Sequence, residues 1–406
     1  MKKFTSILVL IVWALIGHAQ TKNKAVFIIL DGIPADAVER TETPSMDEVA
    51  AKGGYTRAWL GGLKGKYSQS PTVSAVGYNH LLTGTWTNKH NVHDNDIDAP
   101  NYNYWNIFRI AEHHNPKLQT AVFSSWTDNR TKLVGESVPA AGNVKLDYSY
   151  DGLELDTARF PHTSDRKFMH EIDESVSKEA ARYIEEKGPD LSWVYLEFTD
   201  DMGHMFGDSP QFTDAIIKAD KQVGRIWNAI RKREQENGET WMIVITTDHG
   251  RDAATGKNHG GHSDRERTTW ITTNAPSLND HFRNMPAVVD ITPSILRFLN
   301  IPIPEEIANE MDGIPFVGDL SFTSLSAERE GNKAVLTWKP VKANEKLEIL
   351  LTTTNNFKTG GKDRYTRIAR VSASDAGYSF QLPPSTEGYY KILVKGKHND
   401  LHTKCR

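Results

Sequence analysis

Three largely apolar runs, residues 25–30, 191–198 and 241–246, each lead into acidic residues: Asp31-Gly32, Asp200-Asp201 and Asp248-His249. Such runs read as strands buried on both faces, the pattern of a parallel sheet covered by helices. Between the second and third, Ile216, Ile217, Val223, Ile226, Trp227 and Ile230 recur at helical spacing over 212–230. Residues 45–51 and 175–184 also predict helices. Thr292-Pro293 predicts an N-cap with a first-turn proline, opening a helix through Phe298. Strands alternating with helices imply an α/β fold, a mainly parallel sheet sandwiched by helices.

Other features set the domain plan. Met1-Lys2-Lys3, an apolar run over 7–16 and Gly17-His18-Ala19-Gln20 have the layout of a signal peptide over residues 1–20. Export to a periplasm or beyond is therefore expected. No later run is apolar enough to predict a membrane span. Loss of Lys2 and Lys3 takes the formal charge from -4 to -6, which argues against a general nucleic-acid-binding surface. The single cysteine, Cys405, excludes an internal disulfide, so the core and bound metal must hold an exported chain together. After about Phe316 the texture changes to short strand-like runs at 334–338, 347–353, 365–371 and 389–394. The expected division is a main domain over 21–317 and a small β-sandwich module of fibronectin type III character over 318–406. No candidate ligand lies in that module, so it is expected to be separable and dispensable for turnover.

In open α/β sheets, sites form beyond the carboxyl ends of the strands. An Asp-Gly after a strand is on its own usually a turn. The coincidence of three such ends is harder to dismiss. Asp200 and His204 are four apart and share a face in a helical turn. Asp248 and His249 are adjacent, and His259-Gly260-Gly261-His262 adds imidazoles after a short polar loop. Carboxylate oxygen with imidazole nitrogen is a ligand set suited to zinc. Residues 75–82 predict a short helix with Ser74 at its start. There a hydroxyl reads either as an N-cap or as a nucleophile beside a helix end that favours phosphate.

The ligand series, the stretch Leu81-Leu82-Thr83-Gly84, and His90-Asn91-Val92-His93-Asp94-Asn95 resemble the alkaline phosphatase superfamily, in its nucleotide pyrophosphatase/phosphodiesterase branch. In that family the nucleophilic Thr or Ser lies ten residues before the glycine of a Thr-Gly pair, the place Ser74 holds before Gly84. The family's Asp-x-x-x-His resembles Asp200 and His204, its Asp-His pair Asp248 and His249, and its His-Gly pair His259 and Gly260. Asp290 to Leu296 resembles a recurring late segment. The resemblance covers roughly residues 24–317. It implies two divalent ions, zinc with manganese as the alternative. One would be held by Asp31, Asp248, His249 and the Ser74 oxygen, the other by Asp200, His204 and His259. It further implies a phosphoserine intermediate, with Asn95 donating its amide to a phosphate oxygen.

The same resemblance ranks the rivals. Thr72 would move both spacings by two, and His262 lacks the glycine that follows His259. Sulfatases carry Pro two and Arg four residues after the nucleophile, where this chain has Val76 and Tyr78. A small phosphate ester is thus the expected substrate, with diesters ahead of monoesters; sulfate esters and a non-catalytic binding role rank below. Lys145, Arg159 and Lys167 are cations available for the third oxygen of a monoester. Tyr102, Tyr104 and Trp105 read as packing before base stacking, and Asp94, Asp96 and Asp98 as surface.

Overall fold

The computed structural model describes residues 22–385 and 388–405; the expected targeting segment lies outside them. Seven strands form the main sheet: β1 (Asn23–Leu30), β2 (Gly54–Trp59), β3 (Thr120–Ser124), β4 (Tyr148–Tyr150), β5 (Leu191–Leu196), β6 (Thr240–Thr246) and β7 (Thr268–Thr273). Their order is β2-β7-β6-β1-β5-β3-β4, and only the pairings made by β7 are antiparallel. Alternate residues of β1 go to opposite faces, as the pleat requires. Val26, Ile28 and Leu30 meet the helices Pro44–Ala50, Lys167–Lys187 and Pro210–Asn237, while Ala25, Phe27 and Ile29 meet Ser74–Thr83, Ile107–His114 and Ile291–Phe298. This double burial explains why the strand is continuously apolar.

Register makes the site. Leu30 lies opposite Leu196 and Ile29 opposite Thr246, so β1, β5 and β6 leave the sheet at one level. Asp31, Asp200 and Asp248 emerge together at that edge, with Asp200 and His204 on the helix Phe198–Phe206. Among the described residues no helix is long and apolar enough to cross a membrane.

The C-terminal part forms two antiparallel sheets from β8 (Phe322–Glu330), β9 (Lys333–Pro340), β10 (Lys346–Thr352), β11 (Thr366–Ser372), β12 (Gly377–Gln381), β13 (Tyr390–Lys395) and β14 (Asp400–Cys405). The orders are β11-β10-β13-β14 and β12-β9-β8, around a core that includes Trp338, Ile349 and Ile392. Two local expectations need correction. The late helix begins at Ile291, and Thr292 is buried with its hydroxyl donating to the Leu81 carbonyl (2.6 Å), so it does not cap. The helix expected at 175–184 runs over Lys167–Lys187, its first turns burying Phe168, Met169 and Ile172.

Candidate metal centre

Ser74 is the first residue of its helix. The N-cap position belongs to Val73, which makes no side-chain cap. The Ser74 hydroxyl turns instead to His249, Oγ to Nε2 3.2 Å. Gly77 makes this approach feasible, because a Cβ there would run into the backbone of Asp248. Asn95 reaches back to the same helix end, its Oδ1 accepting the Ala75 N–H at 3.0 Å. That leaves its NH2 group, at the exposed mouth, to donate.

His249 donates Nδ1–H to the Gly250 carbonyl (2.9 Å), which fixes its tautomer and aims Nε2 into the site. Around Nε2 stand Asp31 Oδ1 at 3.3 Å, Asp248 Oδ2 at 3.3 Å and Ser74 Oγ at 3.2 Å. Asp31 Oδ1 and Asp248 Oδ2 are buried, and neither has a hydrogen-bond partner. Their other oxygens are engaged. Tyr78 and Tyr195 (2.6 Å) donate hydroxyls to Asp31 Oδ2, and the Gly32 N–H donates to Asp248 Oδ1 (3.0 Å).

Two orphaned carboxylate oxygens facing an imidazole lone pair require a positive charge between them. Tetrahedral ligands about 2.0–2.1 Å from an ion stand roughly 3.3–3.4 Å apart, close to these separations. The residues fit a cation. Without one, burial opposes charge on His249, but Asp248 and then Asp31 outweigh it and raise its pKa to about 9. Burial, then the neighbouring Asp31, pushes Asp248 well above the usual carboxylate range.

The second group lies alongside. His204 Nε2 is 3.3 Å from Asp200 Oδ2 and 3.0 Å from His259 Nε2, and His259 Nε2 is 4.0 Å from Asp200 Oδ1. His259 donates Nδ1–H to the Thr72 carbonyl (2.8 Å), so its Nε2 also faces inward. Its ring stacks on His249 at 3.7 Å, which places His249 within reach of both groups rather than the first alone. His204 is half exposed and closes the outer side. Burial, then the neighbouring His249, lowers His259 to about 4 and keeps its lone pair available. Burial disfavours the Asp200 carboxylate, but Arg251 and then His204 hold its pKa far below the ordinary value. His262 takes no part in these contacts.

Sequence reasoning missed the supports. Arg251, fully buried, donates to the carbonyls of Gly32 (2.9 Å), Asp200 (2.8 Å) and Lys257 (3.1 Å) and to Asp200 Oδ1. It thereby ties together all three strand ends. Thr72 is committed as well: its hydroxyl donates to the Gly261 carbonyl (3.0 Å) and accepts the Gly260 N–H (2.9 Å). Of the residues set aside as packing, Tyr104 is buried against Phe357, Tyr102 donates to the Lys132 carbonyl, and Trp105 lies under Arg109. Lys167 pairs with Asp165, Arg159 lies over Phe160, and the Lys145 N–H donates to Glu112.

The sequence model of the type I phosphodiesterase / nucleotide pyrophosphatase family matches residues 25–300. No curated protein matches the chain. Similar solved structures include murine ectonucleotide pyrophosphatase/phosphodiesterase 5 in an inactive form with AMP, at 13% identity and TM-score 0.50, over 70% of this chain and 96% of that one. The phosphonate monoester hydrolase of Agrobacterium radiobacter aligns at 13% identity and TM-score 0.51, over 94% and 89% of the two chains. A putative sulfatase from Bacteroides thetaiotaomicron aligns at 12% and 0.51, over 79% and 81%. At these identities the likeness concerns the fold.

Proposed function

The chain belongs to the type I phosphodiesterase / nucleotide pyrophosphatase family, and we propose that it is an exported two-metal hydrolase of phosphate diesters, acting through a phosphoserine at Ser74. The observation that carries this reading is the position of Ser74 Oγ, 3.2 Å from His249 Nε2, beside the unpartnered oxygens of Asp31 and Asp248. Asp31, Asp248, His249 and Ser74 would hold one ion; Asp200, His204 and His259 would hold the other. Mixed carboxylate and imidazole ligands favour zinc over magnesium, with manganese the alternative. When bound, the ions lower the pKa of the serine hydroxyl and neutralise phosphate charge.

The chain's own residues then do the following. Ser74 Oγ, as the alkoxide, forms a bond to phosphorus while the ester P–O bond opposite breaks, and the leaving alkoxide takes a proton from water. The helix end beneath Ser74 and the NH2 of Asn95 favour the charge that develops on the non-bridging oxygens. Water then attacks the phosphorus of this serine ester, which still carries the second ester group; the P–O bond to Ser74 breaks, a phosphate monoester leaves and the serine hydroxyl is restored. The diester reading is supported by two of the cations considered for a third phosphate oxygen, since the Arg159 and Lys167 side chains engage residues other than the ligands. Tyr78, at the place of the sulfatase arginine, is bound to Asp31, which argues against sulfate esters.

Nitrophenyl esters test the reading: a phosphate diester, a phosphate monoester and a sulfate, each with zinc or manganese. The diester is expected to turn over fastest. Faster monoester hydrolysis would make the chain a phosphomonoesterase, and no hydrolysis of any would leave a binding role. Removal of residues 1–20 on export is read by the N-terminal mass of the mature protein; an intact Met1 would contradict it.

A further inference from the structure

Asn95 sits at the tip of a loop whose base is closed by Asn101 N–H to the His90 carbonyl (2.8 Å) and by Asn91 Nδ2 to the Ala99 carbonyl (2.8 Å). The loop is not relaxed. Ile97, β-branched and buried, sits at φ 53, a region such residues adopt only when their surroundings impose it. Within the main domain, Lys132 Nζ restrains it through the Asp96 carbonyl (3.0 Å).

Asn95 itself is tied to the Ser74 helix by the Ala75 N–H (3.0 Å), and further restraints come from Glu310, Asp312 and the C-terminal part. Just before the loop, Lys89 is buried and donates Nζ to His402 Nε2 on β14 (2.6 Å), to Asp312 Oδ1 (2.7 Å) and to the Glu310 carbonyl (2.7 Å). Just after it, the side-chain amides of Asn101 and Asn103 donate to the Lys358 carbonyl (2.8 and 3.2 Å), and the Tyr104 ring meets Phe357 edge-on at 5.2 Å. Behind these, Lys391 on β13 pairs with Glu310 and with Asp363 (2.8 Å), all three nearly excluded from solvent. Buried charges are costly unless paired, so this contact tolerates one docking geometry.

We propose that the C-terminal sheets belong to the scaffold of the substrate site: His402 and residues 357–358 clamp both ends of the Asn95 loop and so hold Asn95 over the Ser74 helix. Asn101, Asn103 and His402 are positioning residues, acting through Asn95. This departs from the expectation that everything beyond residue 317 is dispensable, and it rests on the reading of Asn95 as a phosphate-binding residue. The physical reason is entropy: a free ten-residue loop carrying a strained Ile97 would spread Asn95 over many positions, and an amide displaced by an ångström loses most of its effect.

The test uses the full chain with Asn101→Ala/Asn103→Ala, His402→Leu and His402→Gln, each with and without Asn95→Ala. Hydrogen exchange over 91–100 is expected to rise about tenfold or more in the first two, with metal content and melting temperature near wild type. Turnover of the diester is expected to fall by about tenfold through kcat, and the fall should vanish once Asn95 is alanine, because coupled residues are not additive. His402→Gln keeps an acceptor for Lys89 and is expected to restore both readouts. The single Asn103→Ala variant keeps the Asn101 bond and reports the same coupling if the double variant does not fold. Unchanged exchange over 91–100, or equal losses with and without Asn95, would overturn the proposal. Exchange needs no turnover, so a wild type inactive on every ester would defeat the functional reading alone.

Discussion

Ser74 Oγ lies 3.2 Å from His249 Nε2, and that nitrogen is 3.3 Å from one oxygen of Asp31 and 3.3 Å from one of Asp248. A hydroxyl, an imidazole and two carboxylates from three separate segments share one small volume. Their spacing matches the edges of a tetrahedron around a small cation, and the sheet register that delivers them is set by the apolar strands below.

Removal of the hydroxyls that aim Asp31 is expected to weaken the first ion. Tyr78→Phe and Tyr195→Phe each delete one donor to Asp31 Oδ2 while keeping the ring. Outer-layer partners of this kind are worth about 10–100-fold in metal affinity. Competitive titration against a chromogenic chelator reads it; an unchanged affinity in both variants would show that Asp31 needs no such support.

Arg251 is expected to be a stability residue as well as a metal-site one. Arg251→Met leaves the Asp200 carboxylate and three carbonyls without their donor, and breaking one half of a buried pair costs about 3–5 kcal/mol. Arg251→Lys is expected to recover little, since an ammonium cannot reproduce the planar fork. Urea unfolding of the metal-free chain measures both. A cost below about 1 kcal/mol would contradict the bridging role.

Chelation is expected to abolish turnover and lower the melting temperature, because an ion at a thousandfold excess over its Kd stabilises by about 4 kcal/mol. Elemental analysis of active protein should find two transition-metal ions per chain. Full activity with one or none would defeat the two-ion reading.

Asp173 supplies a pH dependence away from the ligands. Its buried carboxylate accepts the Ser125 hydroxyl (2.5 Å) and the N–H groups of Glu197 (3.1 Å) and Phe198 (2.9 Å), steadying the start of the helix that carries Asp200. Burial outweighs these bonds and raises its pKa to about 7, against 3.8 for the free side chain. The folded state therefore holds the proton more tightly, and stability falls as pH rises through that window. Asp173→Asn, which cannot ionise, is expected to gain on the wild type between those two pH values. A stability difference constant across that range would show that Asp173 stays ionised in the fold.

How much could be read from the chain follows from distance along it. Asp31, Asp200 with His204, and Asp248 with His249 are legible because each sits at or next to the end of an apolar run, where chemistry and fold meet within a few residues. Their supports are not. Tyr195 lies inside a buried strand and looks like any core aromatic, yet its hydroxyl serves Asp31 far back in the sequence. Arg251 follows Asp-His-Gly and reads as a loop charge, yet it is fully buried. Strands β8 and β12 escaped notice because one face of each is wet, and β14 because polar residues interrupt the apolar pattern in Asp400-Leu401-His402-Thr403-Lys404-Cys405 although none of them is exposed. The clamp on the Asn95 loop is hidden by distance along the chain, since His402 meets Lys89 across most of it.

The identity of the nucleophile is open to direct measurement, because Ser74 and Thr72 would lie on one peptide. Thr72 spends its hydroxyl on Gly260 and Gly261 and its carbonyl on His259, whereas the Ser74 hydroxyl faces the ligands. Ser74→Ala is expected to keep both ions and lose about three or more orders of magnitude in turnover; Thr72→Ala should lose far less, chiefly through weaker binding of the second ion. Mass spectrometry of an acid-quenched reaction with the diester decides the matter. Fragmentation that places the phosphoryl group, still carrying the diester's second ester, on Ser74, and its disappearance in Ser74→Ala, is the expected result. That group on Thr72, or no adduct on this peptide during steady turnover, would contradict a covalent mechanism at Ser74.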